Sequence, residues 1–246
     1  MYRSRKDRCA RATLTGNYGG VMLLFALAAA SCGDVDVHAT SRAAPPNGSA
    51  DAFDALDLGV WRCEYGCPSA SGGTATFSLL PGVDPSNAGS WSKIRYTPRR
   101  FTSGTFTVRF SLGPRPTQPV WWGVALWDAG PNPDGSQFNE INFGSRTDSS
   151  YADTEMDLFA ARLGQRFSIK VDTGTNLYDG SQHVGKLVYD ATRIDLYFDG
   201  ALLQTITDTR FIPTDPLDLV IGARLVTTPV LTSRFDMIVD SCEIEW

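Results

Sequence analysis

The chain has 246 residues, 42% hydrophobic and 11% aromatic, with a formal net charge of −5. That is enough apolar material for one sizeable core, and a β-rich fold of this length is commonly a single domain. The negative balance argues against nucleic acid as a partner, and two histidines with no Gly-x-Ser-x-Gly elbow speak against a serine-hydrolase centre or an imidazole metal site.

The chain opens with Arg3, Arg5, Lys6, Arg8 and Arg11, followed by "GGVMLLFALAAAS", too short to span a bilayer comfortably. This is the layout of a secretory signal peptide over residues 1–31, whose removal takes the net charge from −5 to −9. "AAASC" then resembles a bacterial lipoprotein lipobox, with Cys32 as the lipidated first residue of the mature chain, although Ala29 stands where that motif prefers leucine. Ordinary cleavage after Ala30 is the alternative, since Ala28 and Ala30 satisfy the small-residue rule. The expected location is the cell envelope, or the medium if Cys32 carries no lipid. Residues 32–52, ending in "HATSRAAPPNGSADA", read as a flexible tether, and 53–246 as the folded domain.

Cys63, Cys67 and Cys242 remain in the folded part, and an oxidising compartment permits one bridge with one thiol left over. Cys63 with Cys67 is the local choice. Cys242 with either would tie the two ends of the domain together.

From Phe53 onward the chain reads as successive strands. "TFTVRFSL" sets Phe106, Val108, Phe110 and Leu112 on one face and Thr105, Thr107, Arg109 and Ser111 on the other, the period of a half-buried antiparallel strand. "RIDLYFDGALLQTI" is two strands joined by Asp199-Gly200, which favours a tight primed turn. Further strands are expected at "ATFSLL", "WSKIRYT", "PVWWGVALW", "RFSIKVD", "GKLVYD", "LDLVIGARL" and "FDMIVDSCEIEW", and a short helix at "DLFAARLG". The expected fold class is all-β, a two-sheet antiparallel sandwich.

In "FNEINFGSR", Ile141 and Phe143 point one way and Glu140 and Asn142 the other. Trp121 and Trp127 share a face with Gly123 and Ala125, while Trp122 belongs to the core. Asp240 shares strand parity with Ile238, Cys242, Ile244 and Trp246, and is therefore expected to be buried with a partner.

The order of these segments resembles glycoside hydrolase family sixteen, the laminarinases, lichenases and xyloglucan transglycosylases. "SWSKIRYTPRRFTSGTFTVRFSL" is similar to that family's early pair of strands, "WWGVALW" to its Trp-Pro-Ala-x-Trp strand, and "NEINFG" to its Glu-x-Asp-x-Glu signature. "HVGKLVYDATRIDLYFDGALL" and "FDMIVDSCEIEW" resemble its later hairpin and closing strand. The resemblance implies a concanavalin-like jelly roll acting on β-glycans. The expected protein is a monomer that meets membranes only through the lipid anchor at Cys32.

A retaining glycosidase needs two carboxyl groups about 5–5.5 Å apart, one nucleophile and one acid/base. The resemblance puts Glu140 at the nucleophile and Asn142 at the residue that tunes it. It puts Gly144 at the acid/base position, or Ser145 if the strand is bulged, and neither can protonate a leaving oxygen. A displaced acid could come from Glu155 or Asp157 if "TEMDLF" pairs antiparallel with residues 140–145, with Gly144 opposite Glu155. Trp121, Trp127 and His183 would then line the cleft, and Asp240 would help bind a structural calcium ion, a hydrogen bond to backbone N–H groups being the plainer alternative. Two functions follow: an exported endo-acting β-glycan hydrolase or transglycosylase, or a non-catalytic carbohydrate-binding or structural envelope lipoprotein.

Overall fold

The computed structural model describes residues 47–86, 88–132 and 134–246. The expected signal peptide, the expected lipidation site Cys32 and His38 lie outside the described residues. Fifteen strands follow one another in these segments: β1 (Gly48–Asp51), β2 (Trp61–Tyr65), β3 (Ser69–Ser71), β4 (Thr74–Leu79), β5 (Trp91–Tyr96), β6 (Gly104–Leu112), β7 (Val120–Asp128), β8 (Asn139–Arg146), β9 (Glu155–Arg162), β10 (Gln165–Asp172), β11 (His183–Tyr189), β12 (Ile194–Phe198), β13 (Ala201–Ile206), β14 (Asp218–Leu225) and β15 (Phe235–Glu245).

They form two antiparallel sheets. One runs β13-β12-β11-β6-β15-β4-β3, with β1 also paired to β15, and the other runs β10-β9-β8-β7-β14-β5-β2. The alternation predicted for β6 is met, with Phe106, Val108, Phe110 and Leu112 all buried. Facing them from the seven-stranded sheet are Ile94, Trp122, Val124, Ile141, Phe143, Leu158 and Ile221, also buried, so the core is the layer between the two inner faces. Trp122 donates from Nε1 to the Tyr178 hydroxyl at 3.0 Å, which satisfies the one polar atom of that side chain in the core. The Asp199-Gly200 turn has positive φ at both residues, 47° and 85°, as a primed hairpin requires.

The structure changes three expectations. The tether ends earlier than residue 52, because Gly48–Asp51 form β1 against the last strand, with Asp51 opposite Cys242. Asp51 fixes this end by accepting from Phe53 N at 2.7 Å and Trp61 Nε1 at 2.7 Å. "DLFAARLG" is strand and turn rather than helix. Met156, Leu158 and Ala160 are buried in alternation with Asp157 and Phe159, and Leu163-Gly164 make a positive-φ turn into β10. A two-residue burial period inside a sheet thus overrides the helical propensity of Leu, Ala and Arg.

The parity argument for Asp240 also fails. β15 shifts register between Val239 and Ser241, so residues 235, 237 and 239 are buried before the irregularity and Cys242 and Ile244 after it. Asp240 is left half-buried at the bulge. Cys63 and Cys67 are bridged, and Cys242 is a free, buried thiol, so the cysteines do not tie the two ends of the domain.

Candidate functional site

The outer face of the seven-stranded sheet carries a groove of about 520 Å³, within the roughly 300–1,000 Å³ of ordinary ligand clefts. Strand pairing lays its floor out in rows that run across the strands. Trp127, Glu140 and Ala161 stand side by side on β7, β8 and β9. The next row is Val220, Ala125, Asn142 and Phe159. Beyond it comes Lys93, Gly222, Gly123, Gly144 and Asp157, and then Trp91, Arg224, Trp121 and Arg146. Glu140, Asn142, Trp121 and Trp127 all line the groove, as the alternation requires.

At the position expected of a nucleophile, Glu140 accepts a hydrogen bond from the Asn142 side-chain amide at 2.7 Å. Burial pushes the Glu140 carboxyl above the ordinary carboxylate range, and the pull of Asn142, Arg166 and Lys93 does not cancel it. The amide at residue 142 gives Glu140 one hydrogen bond and no negative charge, so it orients the carboxylate without titrating beside it.

The position expected of the acid/base is closed by backbone. A Cβ on Gly144 would stand 2.0 Å from the Trp122 carbonyl oxygen and 2.9 Å from Gly123 Cα. The neighbouring glycines repeat the arrangement, a Cβ on Gly123 meeting Phe143 O at 2.4 Å and one on Gly222 meeting Ser92 O at 2.3 Å. Three adjacent strands therefore present bare main chain across the middle of the groove. The bulged alternative is not realised: β7 and β8 pair without interruption, and Ser145 is buried on the core side, donating to Glu155 O at 2.7 Å.

Of the two candidate displaced acids, Asp157 enters the groove and Glu155 does not. The register differs by two residues from the expected one, with Asp157 rather than Glu155 opposite Gly144, which preserves the predicted face. Glu155 instead accepts from Ala152 N at 2.8 Å, at the start of its strand. Asp157 is held by Ser168 Oγ at 2.7 Å and Tyr151 OH at 3.0 Å. Burial, with the Asp157 charge beside it, pushes the Tyr151 hydroxyl well above its ordinary range, so that tyrosine remains a proton donor to the carboxylate. Ala161 is the β9 partner of Glu140, and Asp157 lies four residues from it, about 13 Å along the strand.

The other end of the groove is cationic and aromatic, which the sequence reading missed. Tyr65 and Trp91 stack at 5.8 Å, with Lys93 4.7 Å and Arg224 4.6 Å from the Trp91 ring. Lys93 pairs with Glu64 at 2.7 Å and Arg146 with Asp148 at 2.9 Å. Burial pushes Glu64 up, but bonds from Lys93, Arg95 and Arg62 outweigh it and hold the carboxyl at about 2. Strand parity in "LDLVIGARL", extended from Val220 and Gly222 to Arg224, is the signal that places Arg224 on this face.

Two predicted residues lie elsewhere. His183 is on β11 in the opposite sheet, 4% exposed, with Phe198 at 4.9 Å and its Nδ1 2.9 Å from Asp199 Oδ2. It is core-facing and does not line the groove, because the strand that carries it pairs with β6 rather than with β8. Asp240 accepts from Gln182 and feels Arg109 as its nearby cation, burial raising its carboxyl above the ordinary range. Among the described residues no group of three or more His, Cys, Asp or Glu side chains converges.

No family model matches the sequence, and no curated protein matches it. Solved structures do match in fold. A Bacillus licheniformis β-glucanase superposes with a TM-score of 0.63 at 16% identity, covering 81% of this chain and 98% of its own. A laminarinase catalytic domain from Thermotoga petrophila gives 0.61 at 11% identity over 80% of this chain and 96% of its own. A κ-carrageenase from Pseudoalteromonas carrageenovora, solved with an oligotetrasaccharide of κ-carrageenan, gives 0.58 at 13% identity over 83% and 97%. The chain therefore has the two-sheet jelly-roll fold of these glycoside hydrolases, which is the fold its segment order resembles.

Proposed function

We propose that this chain binds a β-glycan in the groove of its seven-stranded sheet and holds it without cleaving it. The observation that carries the reading is Gly144: the space where an acid/base side chain would begin is occupied by the Trp122 carbonyl oxygen. Glu140 is then a polar contact for sugar hydroxyls, oriented by Asn142, while Trp121 and Trp127 offer ring faces for stacking. The fold shared with β-glucanases supports a glycan as the ligand.

A pull-down on insoluble β-glucan, run beside an assay for reducing-sugar release, tests this reading. Retention without release is expected. Release by the natural protein that is lost in Glu140→Gln would overturn it. One observation favours a second reading, hydrolysis with a displaced acid: Asp157 stands opposite Gly144 in the groove. Under that reading Asp157→Asn would abolish release as fully as Glu140→Gln does.

The proposed setting is the cell envelope, with the protein exported, monomeric and anchored through lipid on Cys32. Incorporation of a labelled fatty acid that is lost in Cys32→Ala supports the anchor. Unlabelled protein in the medium would make it a secreted one.

A further inference from the structure

Resting on the glycan-binding reading, we propose that the end of the groove walled by Trp91, Arg224, Trp121 and Arg146 is a subsite for an anionic substituent of the glycan, a sulfate ester or a carboxylate. Strand pairing sets these four residues in one row across β5, β14, β7 and β8, so that guanidinium and indole alternate along the wall. Lys93 and Arg146 each have an acidic partner. Arg224 has no carboxylate partner among the described residues, and its buried Nε makes no hydrogen bond.

A half-buried guanidinium with an unused donor is costly unless something completes it. Burial in fact lowers the Arg224 pKa, the field of Tyr65 opposing this and the positive charge of Arg146 adding to it. An anion lodged between the two arginines would relieve the repulsion and use the planar fork, the geometry in which Arg outperforms Lys. The chain as a whole is acidic, so this concentration of positive charge is local to the groove.

The adjoining row gives the substituent its reach. Because Gly222, Gly123 and Gly144 carry no side chain, nothing projects from these three strands between the Asn142 row and the cationic wall. The competing account is that Arg224 merely covers the Trp91 ring as a structural cation–π contact.

Affinity electrophoresis separates the two. Curdlan and desulfated κ-carrageenan serve as neutral backbones, curdlan sulfate and κ-carrageenan as sulfated counterparts, and carboxylated curdlan as the carboxylate form. At low salt a charged form is expected to bind at least about tenfold more tightly than its neutral parent, an advantage that shrinks at high salt. Arg224→Gln is expected to bring the charged form down to the neutral level, Arg224→Lys to retain part of the preference, and the distant control Arg210→Gln to change nothing. The form that gains names the substituent.

Equal binding of neutral and charged forms by the natural protein, or a full preference surviving in Arg224→Gln, would overturn the subsite while leaving the glycan-binding reading in place. Absence of binding to every polymer would overturn both. Circular dichroism reports whether the variants fold, and the comparison on the natural protein decides the matter if Arg224→Gln does not.

Discussion

Replacing Gly144 with alanine adds a single methyl group where backbone already stands. Its Cβ would sit 2.0 Å from Trp122 O, while real Cβ atoms keep beyond 3.0 Å, so β7 and β8 have to part by about 1 Å at their centre. Overpacking of this kind costs about 1–3 kcal/mol. Parting the strands also weakens the two ladder bonds that flank the residue, at about 0.5–1.5 kcal/mol each. A total of about 2–6 kcal/mol corresponds to a fall in Tm of roughly 4–24 °C for a domain of this size. Thermal unfolding followed by circular dichroism measures it. Gly144→Glu, which writes a carboxylate into the acid/base position, is expected to be destabilised at least as much and to release no sugar. If Gly144→Ala melts within about 1 °C of the natural protein, the strands yield freely and the backbone obstruction is not real. A stable Gly144→Glu that hydrolyses glycan would refute the reasoning outright.

Three further outcomes follow from the same geometry. Trp121→Ala is expected to weaken glycan binding by about tenfold at unchanged stability, whereas Trp122→Ala costs about 3–5 kcal/mol of stability because its ring fills the core; binding isotherms and melting curves distinguish them. Burial holds the Glu140 pKa above its ordinary value of 4.5, so the charged form costs the fold free energy at neutral pH and nothing once the group is protonated in both states. Glu140→Gln should therefore melt higher than the natural protein near pH 7, the gain fading as the pH falls toward that ordinary value, and a variant less stable at neutral pH would contradict this. Calcium is expected to leave Tm unchanged relative to chelator, because Asp240 engages Gln182 near Arg109; a rise that disappears in Asp240→Asn would assign that carboxylate to a metal.

Alternation alone was sufficient for the strands that form the core. Phe106, Val108, Phe110 and Leu112 on β6, and Ile141 and Phe143 on β8, sit on the buried side because a period of two leaves no other arrangement that removes them from water. The same rule put Glu140, Asn142, Trp121 and Trp127 on one open face. What stayed hidden depends on how strands register against partners distant in sequence. The two-residue offset between β8 and β9 decided that Asp157 enters the groove rather than Glu155. The bulge in β15 moved Asp240 off the inner face, and the pairing of β11 with β6 put His183 in the other sheet. Gly123, Gly144 and Gly222 are ordinary strand glycines until pairing lines them up, and Arg224 is an unremarked arginine until Trp91 and Trp121 stand beside it.

The pairing of β1 with the last strand has a mechanical side. A force drawing residue 47 away along the β1 axis loads the Gly48 to Asp51 ladder against β15 in shear, so its rungs bear the pull together instead of opening one after another. The Asp51 carboxylate, gripping Phe53 N and Trp61 Nε1, acts as a stop at the far end of that ladder. A domain pulled from this side resists being peeled open at its margin.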